Sequence, residues 1–269
     1  MGIIFGIDIG GSTTKIVGIK DGKCIDMLQV RAADQITSLY GALGKFLRSH
    51  ELQTTDVEEI YLTGVGASFI DEQIYGIKTY KESEFNAIGR GALFLTGLPA
   101  ALVVSMGTGT AFVRAGSDAA VHIGGTGIGG GTIIGLASKL LGKSDVDAIL
   151  ALAGGGNIKN VDLTVGDIFG KDIESLPSHL TAANFGKIES TASKSDIALG
   201  IINMVFETVG MMAVLSIKND SINDVVLTGT LATFPQAKPV FDGLKELTGI
   251  NFIIPEKAVF ATAMGAISR

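Results

Sequence analysis

The sequence predicts an α/β fold made of two similar halves that face each other across a cleft. The glycine turn within Asp8–Lys15 lies between two apolar, β-branched runs, so a hairpin is expected there. A second glycine turn, 107–110, again joins two strand-like runs. The elements predicted around each hairpin follow one order, namely strands, a helix, a strand and a helix. The repetition of this order indicates a duplicated fold.

The first half is predicted to begin with three strands. Asp21-Gly22 is typical of a tight turn between antiparallel strands. Apolar residues then recur at helical spacing, and Ser83 is a candidate N-cap of a later helix. The predicted elements are a meander over 3–30, a helix over 36–50, a buried strand over 59–63 and a helix from Ser83 to about residue 94.

The second half is predicted to repeat this order with more helix. The long helix is apolar nearly all round, so we expect it to be buried. The predicted elements are strands over 102–105, 224–227 and 251–254, a hairpin around 116–117, and helices over 131–141, 145–153, 195–217, 234–247 and 258–267. We expect the boundary near residue 100, which gives an N-terminal domain over 1–100 and a C-terminal domain over 101–269.

Composition narrows the class of protein. The chain has 269 residues with 46% hydrophobic and 18% charged residues, enough to bury a substantial core. The net charge of −6, with no basic block, makes nucleic acid an unexpected partner. Cys24 is the only cysteine of the chain, which excludes an intrachain disulfide. No uninterrupted apolar run of about eighteen residues and no basic N-terminal region are present, so a soluble cytoplasmic protein without a membrane segment is expected.

The turn after the first strand carries the chemistry of a phosphate site. Its glycines let backbone N–H groups approach a polyanion, and Ser12 and Thr13 add hydroxyl donors. Lys15 adds a positive charge, and Asp8 is placed to hold Mg²⁺ through water. A strand follows these glycines, whereas a P-loop or a Rossmann turn is followed by a helix. The alternative is an ordinary hairpin. The pattern resembles the first phosphate motif of the actin/hexokinase/heat-shock ATPase superfamily.

Three later segments extend this pattern. The turn 107–110 repeats the strand–turn–strand arrangement, so the two hairpins are expected to hold a triphosphate from both sides. Gly129–Gly131 precede a predicted helix, whose free N–H groups and dipole favour an anion. The strand ending at Thr228 leads into Gly229-Thr230, a small-residue turn that suits adenosine. Each segment alone is also explained as a structural turn, but in this order they predict an ATP cleft.

Six segments together resemble the type II pantothenate kinases. They are Gly6–Lys15, Glu84–Ala87, Gly107–Thr110, Gly124–Leu136, Leu180–Gly186 and Met264–Ala266. The resemblance implies the duplicated actin-like/ribonuclease H-like ATPase fold, with two domains and an ATP cleft between them. It also implies ATP-dependent phosphorylation of pantothenate, the first step of coenzyme A synthesis, with magnesium and a homodimer.

The motifs and the resemblance together assign residues to roles. Glu84 corresponds to the family's catalytic acidic residue, although a Glu after an N-cap serine also stabilises a helix dipole. Asp8 is assigned to catalysis and to the metal, and Thr108 and His122 to the substrate. The predicted nucleotide contacts are Asp8, Ile9, Gly10, Gly11, Ser12, Thr13, Thr14, Lys15, Gly107, Thr108, Gly109, Gly129, Gly130, Gly131, Thr132, Ile133, Ile134, Gly229 and Thr230.

Two departures from the family pattern fall on the acceptor side. His122 stands where the family carries an arginine, and Ile253 or Ile254 replaces a tyrosine. An amino-sugar or pantetheine kinase of the same superfamily therefore stays open. An activator-type ATPase also stays open, since Thr63-Gly64-Val65-Gly66 is similar to motifs of that group. Those activators bridge an iron–sulfur cluster through cysteines, and a lone Cys24 cannot supply the usual pair.

Overall fold

A computed structural model describes residues 2–32, 34–117, 119–170, 177–188 and 190–268. The strands are β1 (Ile3–Ile9), β2 (Thr13–Lys20), β3 (Lys23–Arg31), β4 (Val57–Thr63), β5 (Lys78–Lys81), β6 (Ala101–Met106), β7 (Thr110–Ala115), β8 (Ala120–Thr126), β9 (Leu163–Thr164), β10 (Thr181–Ala183), β11 (Asp224–Thr228) and β12 (Asn251–Ile253). The α-helices are α1 (Gln35–Ser49), α2 (Glu84–Thr96), α3 (Gly130–Leu141), α4 (Val146–Ala153), α5 (Val165–Phe169), α6 (Lys194–Ser216), α7 (Ala237–Thr248) and α8 (Ala261–Ile267).

Two five-stranded sheets share one topology. The first sheet has the order β3-β2-β1-β4-β5, and the second has the order β8-β7-β6-β11-β12. In each sheet the first three strands of the half form an antiparallel meander, and the next two add in parallel on the other side of the first strand. The predicted duplicated α/β fold is therefore confirmed.

The turns that follow β4 and β11 have the same local structure, as expected for a duplicated fold. Gly64 and Gly229 follow the two strands with nearly identical backbone angles, φ 86° and ψ 167° against φ 87° and ψ 176°. A positive φ of this size favours glycine because a side chain would crowd the backbone. Each glycine is followed by a 3₁₀ turn and preceded by a fully buried threonine, Thr63 or Thr228. The two turns are structural equivalents.

Each sheet has its own hydrophobic core. The first sheet buries Phe5 and Ile7 against Leu43 and Phe46 of α1. The second core lies between the second sheet and α3, α4, α6 and α7. By length and composition α6 alone among the described helices resembles a membrane span, yet half of its most apolar window is buried. Its packing in this core accounts for its apolar composition.

Helices α2 and α8 join the two halves. Helix α8 lies on β1 and β4 of the first sheet, α2 lies on β6, β7 and β8 of the second, and the two helices pack against each other. A Cβ atom at Gly265 would overlap the carbonyl of Ala87, and one at Gly91 would overlap the carbonyl of Ala261. Glycine is therefore needed at both positions for the backbones to approach this closely. This contact fixes the first residue of α2, Glu84, at the junction of the halves.

The predicted helices and strands appear with small shifts at their ends. The helix expected over 234–247 begins at Ala237, because 230–233 form a 3₁₀ turn. Ser83 precedes α2, but its side chain makes no capping hydrogen bond. Strand β5 was not predicted, since its four residues begin and end in lysine and carry no apolar run. The sequence also does not predict β9, β10 and α5, because elements of two to five residues are too short to show a periodic pattern. The domain boundary at residue 100 stays a prediction.

The contact between α2 and α8 leads to a stability prediction. Gly265→Ala should destabilise the fold by about 1–3 kcal/mol, because the added methyl group meets backbone that cannot move independently. Gly243→Ala is the matched control, since it lies in α7 with open space around the added Cβ. The control should be neutral or stabilise by about 0.5–1 kcal/mol through helix propensity. Urea denaturation measures both, and equal stability of the two variants would contradict the account.

Candidate active site

A cavity of about 570 Å³ opens between the two halves. Both glycine hairpins, the start of α2, the start of α3 and the turn after β11 contribute to its walls. Most of the residues predicted from the sequence line it. These are Asp8, Gly10, Gly11, Ser12, Thr13, Lys15, Glu84, Gly107, Thr108, Gly109, His122, Gly130, Gly131, Ile133, Ile134, Gly229 and Thr230.

The first wall is the hairpin between β1 and β2. Asp8 and Lys15 are directly paired across the two strands, and Lys15 Nζ lies 3.2 Å from Asp8 Oδ2. Both side chains are only 10% exposed, so water screens this ion pair weakly. The turn is closed by the Gly10 N–H, which donates to the Thr13 carbonyl over 3.0 Å. A cation and a carboxylate are thus held side by side at the end of a buried strand.

The second wall is the turn between β6 and β7, tied to the start of α3. The N–H groups of Gly130 and Gly131 donate to the carbonyls of Gly107 and Thr108, each over 2.9 Å. The sequence predicted these helix N–H groups to be free for an anion, and that expectation is wrong for both residues. The bonds instead hold the helix end rigidly against the turn. What remains for an anion is the positive end of the α3 dipole.

The two walls touch each other directly. The hydroxyls of Ser12 and Thr108 are hydrogen-bonded across the cleft over 2.8 Å. Farther out, Arg31 Nη2 lies 2.8 Å from Asp145 Oδ2 and joins the end of β3 to the N-cap of α4. Both contacts are exposed and connect residues about a hundred positions apart in the chain. The two hairpin turns are therefore already close enough to hold one ligand between them.

Glu84 is the half-buried carboxyl at the start of α2. Burial raises its pKa, the nearby charge of Asp8 raises it further, and Lys15 lowers it. The net result is a carboxyl that binds a proton more tightly than an exposed glutamate. The neighbouring Glu82 accepts hydrogen bonds from Arg90 and from the Ser83 N–H and does not line the cavity.

His122 lies on β8 and stacks on Phe85. The ring centroids are 4.1 Å apart and the ring planes differ by 10°, so the imidazole has one orientation at the cavity wall. Among the described lining residues, the other basic side chain is Lys15, which is already paired with Asp8. A carboxylate bound near Phe85 would therefore have His122 as its basic neighbour.

The far end of the cavity, beyond the second hairpin, is apolar. Thr230 begins the turn after β11, and Leu231 and Phe234 follow it. Ile133 and Ile134 of α3 complete this wall with Val146 and Val259. Mostly apolar surroundings of this kind suit the faces of a purine base. The sequence indicated Gly229 and Thr230 but missed six further lining residues, namely Phe85, Leu231, Phe234, Val65, Val146 and Val259. For Phe85 and Leu231 the available signal was that each directly follows a predicted site residue, Glu84 or Thr230.

Four predicted nucleotide contacts do not line the cavity. Ile9 is fully buried in the first core, and the Thr14 hydroxyl is bonded to Ser38 Oγ over 2.7 Å. Gly129 and Thr132 form the N-terminal turn of α3, where the Gly129 N–H donates to Thr132 Oγ1. Ile253 and Ile254 also lie outside the cavity, on and just after β12.

The polar groups present fit a nucleotide with Mg²⁺. Tight glycine turns leave no room for side chains: a Cβ at Gly10 would meet the Thr13 carbonyl, and one at Gly109 the Thr126 carbonyl. Among the described residues, no three His, Cys, Asp or Glu side chains cluster as a metal site. Mg²⁺ commonly takes one or two carboxylates and obtains its other ligands from phosphates and water, so Asp8 meets its requirement.

Comparisons with solved structures define the class of protein. The fold is that of the component A of (R)-2-hydroxyglutaryl-CoA dehydratase from Acidaminococcus fermentans, with a TM-score of 0.69 at 17% identity over 99% of this chain and 96% of that one. A ROK family glucokinase from Streptomyces griseus, solved with glucose and AMPPNP, matches with a TM-score of 0.61 at 13% identity over 98% of both chains. The chain therefore has the two-domain ATPase fold of the actin/hexokinase class.

Sequence comparisons define the family. The Fumble family model matches residues 98–237, about half of the chain, and the protein belongs to this family. A type II pantothenate kinase from Bacillus cereus is 27% identical over 97% of this chain and 96% of the relative. One from Oceanobacillus iheyensis is 28% identical over 97% of both. The resemblance to type II pantothenate kinases is thereby confirmed.

The environment of Glu84 leads to a prediction about its titration. Its carboxyl should titrate above the ordinary glutamate pKa, because burial and the charge of Asp8 both raise it. Asp8→Asn should lower that pKa, since it removes the second of these two causes. NMR of ¹³C-labelled glutamate carboxyls measures the titration, and the spectrum of Glu84→Gln assigns the signal. Any activity that needs the ionised carboxylate is then lost as the pH falls through this raised pKa. An unchanged pKa in Asp8→Asn would contradict the coupling.

Proposed function

We propose that this protein is a pantothenate kinase, which transfers the γ-phosphate of ATP to the primary hydroxyl of pantothenate and forms 4′-phosphopantothenate. This reaction is the first step of coenzyme A biosynthesis. The observation that carries the proposal is that Glu84, a carboxyl with a raised pKa, shares one cavity with the Asp8–Lys15 pair and both glycine turns. Phosphoryl transfer needs a base, charge neutralisation and in-line positioning, and these groups supply them.

Glu84 is the general base of the proposed reaction. Ionised, it accepts the proton of the acceptor hydroxyl as the oxygen attacks phosphorus. A carboxylate whose pKa is raised toward neutrality removes that proton more readily than an exposed one. Its position at the start of α2 is fixed by the packing of α2 on α8, so the carboxylate does not depend on a mobile loop.

Asp8, Lys15 and the two hairpin turns orient the phosphates. Asp8 is the proposed Mg²⁺ ligand, directly or through water, and Mg²⁺ when bound neutralises phosphate charge. Lys15 lies beside it and attracts the same phosphates. The hydroxyls of Ser12 and Thr108 are hydrogen-bonded to each other in the structure. When ATP binds, both hydroxyls donate to phosphate oxygens instead. The base end of ATP lies against Thr230 and the apolar wall that follows it.

The acceptor lies on the side of Glu84, Phe85 and His122. Thr108 bonds the acceptor near the transferred phosphate, and His122 contacts the acceptor's far end. An arginine would offer a permanent charge and two parallel hydrogen bonds to a carboxylate, whereas histidine offers fewer donors and no such fork. The acceptor pocket of this chain therefore holds a carboxylate less firmly than an arginine-bearing pocket.

Two other functions compete with this proposal. Another small-molecule kinase of this fold, acting on an amino sugar or on pantetheine, would use the same nucleotide groups and differ at Phe85 and His122. An activator-type ATPase is suggested by the likeness to component A, which at 17% identity shows the fold alone. Cys24 lies on β3 and does not line the cavity, which argues against a cluster-bridging role at this site. Phosphorylation assays over pantothenate, pantetheine and amino sugars separate these functions.

The remaining features are carried over from the family and the composition. We propose a homodimer in the cytoplasm, with domains over 1–100 and 101–269 and without nucleic acid as a partner. The net charge of −6 and the absence of a basic block support the last point. Sedimentation velocity of the purified protein tests the dimer, and a single monomeric species would overturn it.

The role of Glu84 leads to a kinetic prediction. Glu84→Gln should reduce turnover by about 10²–10⁴, the usual range for the loss of a general base, while ATP binding is retained. Asp8→Asn should also abolish transfer, but with weakened use of magnesium. Steady-state kinetics with titrated Mg²⁺ separate the two effects. Glu82→Gln is the control, since Glu82 lies outside the cavity; near-normal turnover of Glu84→Gln would assign Glu84 to the helix dipole alone.

His122 leads to a prediction about the acceptor. His122→Arg should lower KM for pantothenate, with little change in KM for ATP, because a guanidinium adds a permanent charge and two parallel hydrogen bonds to the carboxylate. KM for pantetheine, which has no carboxylate, should not fall in the same way. Steady-state kinetics of both proteins with each acceptor measure this, and an unchanged pantothenate KM in His122→Arg would exclude contact of residue 122 with the carboxylate.

A further inference from the structure

The internal duplication places two equivalent turns at one cavity. Thr228-Gly229-Thr230 ends β11 at the apolar end assigned above to the base of ATP. Thr63-Gly64-Val65 ends β4, the corresponding strand of the first sheet, with the same backbone angles at its glycine. Thr230 and Val65 occupy the same place in the two turns, directly after that glycine, and both line the cavity.

The first-half turn lies next to the reacting groups. A Cβ at Gly64 would meet Asp8 Oδ1 and the carbonyl of Ile9, so the turn is packed against the end of β1. The charge of Asp8 acts in turn on Glu84, the first residue of α2, which lines the same cavity. Val65 is therefore held on the side of the cavity where the phosphate is transferred, away from the base-binding end.

The side chain of Val65 is more exposed than the buried side chains at the end of the strand that precedes it. Its side chain is 57% exposed although it follows a buried strand and stands at a cavity wall. The isopropyl group presents an apolar, branched surface in the cavity that Asp8, Lys15 and Glu84 also line. Covering such a surface with apolar atoms of a ligand is favourable, at about 0.8 kcal/mol per CH₂ group buried.

We propose that Val65 is a specificity-determining residue of the acceptor subsite. The turn after β4 contacts the acceptor, as the equivalent turn after β11 contacts the nucleotide through Thr230. The Val65 side chain packs against the branched apolar carbon next to the hydroxyl that is phosphorylated. In pantothenate this carbon carries two methyl groups. The contact selects acceptors whose reactive primary hydroxyl stands beside such a carbon. This inference rests on the proposed function, since it takes ATP and pantothenate as the two ligands.

The experiment compares pantothenate with an analogue in which both methyl groups are replaced by hydrogen. The wild-type protein should show a KM for the analogue about tenfold higher than for pantothenate. Val65→Ala should raise the KM for pantothenate about tenfold and remove most of the difference between the two acceptors. In Val65→Ala both kcat and the KM for ATP should stay close to the wild-type values, which a general loss of structure would not allow.

Two further variants complete the design. Val121→Ala is the matched control, since Val121 is 54% exposed on β8 and does not line the cavity; its kinetics should equal the wild type. Thr230→Ala should give the reciprocal pattern, a raised KM for ATP with an unchanged KM for pantothenate. Equal preference of wild type and Val65→Ala for the two acceptors overturns the inference alone. No phosphorylation of pantothenate by the wild type overturns the proposed function and the inference with it.

Discussion

The backbones of α2 and α8 meet at Gly91 and Gly265, and the arrangement of the two halves depends on this contact. Each helix covers one sheet, so the distance between the helices sets the distance between the sheets. Side chains at either glycine would overlap a carbonyl of the other helix. Because α2 begins with Glu84, the same packing that joins the halves also fixes the carboxyl at the mouth of the cavity. Stability and chemistry are coupled through one helix pair.

The electrostatics of the cavity follow from this geometry. Asp8 and Lys15 are cross-strand neighbours, so the sheet register itself places a cation beside a carboxylate. Glu84, at the start of α2, lies near this pair, and burial together with the charge of Asp8 raises its pKa. In the proposed reaction the phosphates and Mg²⁺ join this cluster and Glu84 takes the hydroxyl proton. Residues from both halves are needed, and neither half alone forms the cavity.

Much of the fold could be predicted because its signals are local. The turn after Asp8, the helical spacing over 36–50 and the repeat of the hairpin at 107–110 each reflect a short stretch of chain. The missed features depend on tertiary contacts. The hydrogen bonds from Gly130 and Gly131 to the neighbouring turn connect residues that are distant in sequence, and so does the stacking of His122 on Phe85. The exposure of Val65 is set by how its turn packs. Their chemistry cannot be read from residue type alone.

In the proposed reaction both hairpin turns hold one triphosphate. The most direct test is a crystal structure of the protein with Mg²⁺ and a non-hydrolysable ATP analogue. The phosphates should lie between Gly10–Thr13 and Gly107–Gly109, with the metal next to Asp8 and the base against Thr230. The Ser12–Thr108 hydrogen bond should be replaced by bonds to phosphate. Phosphates that contact only one hairpin, or that lie outside the cavity, would contradict this arrangement.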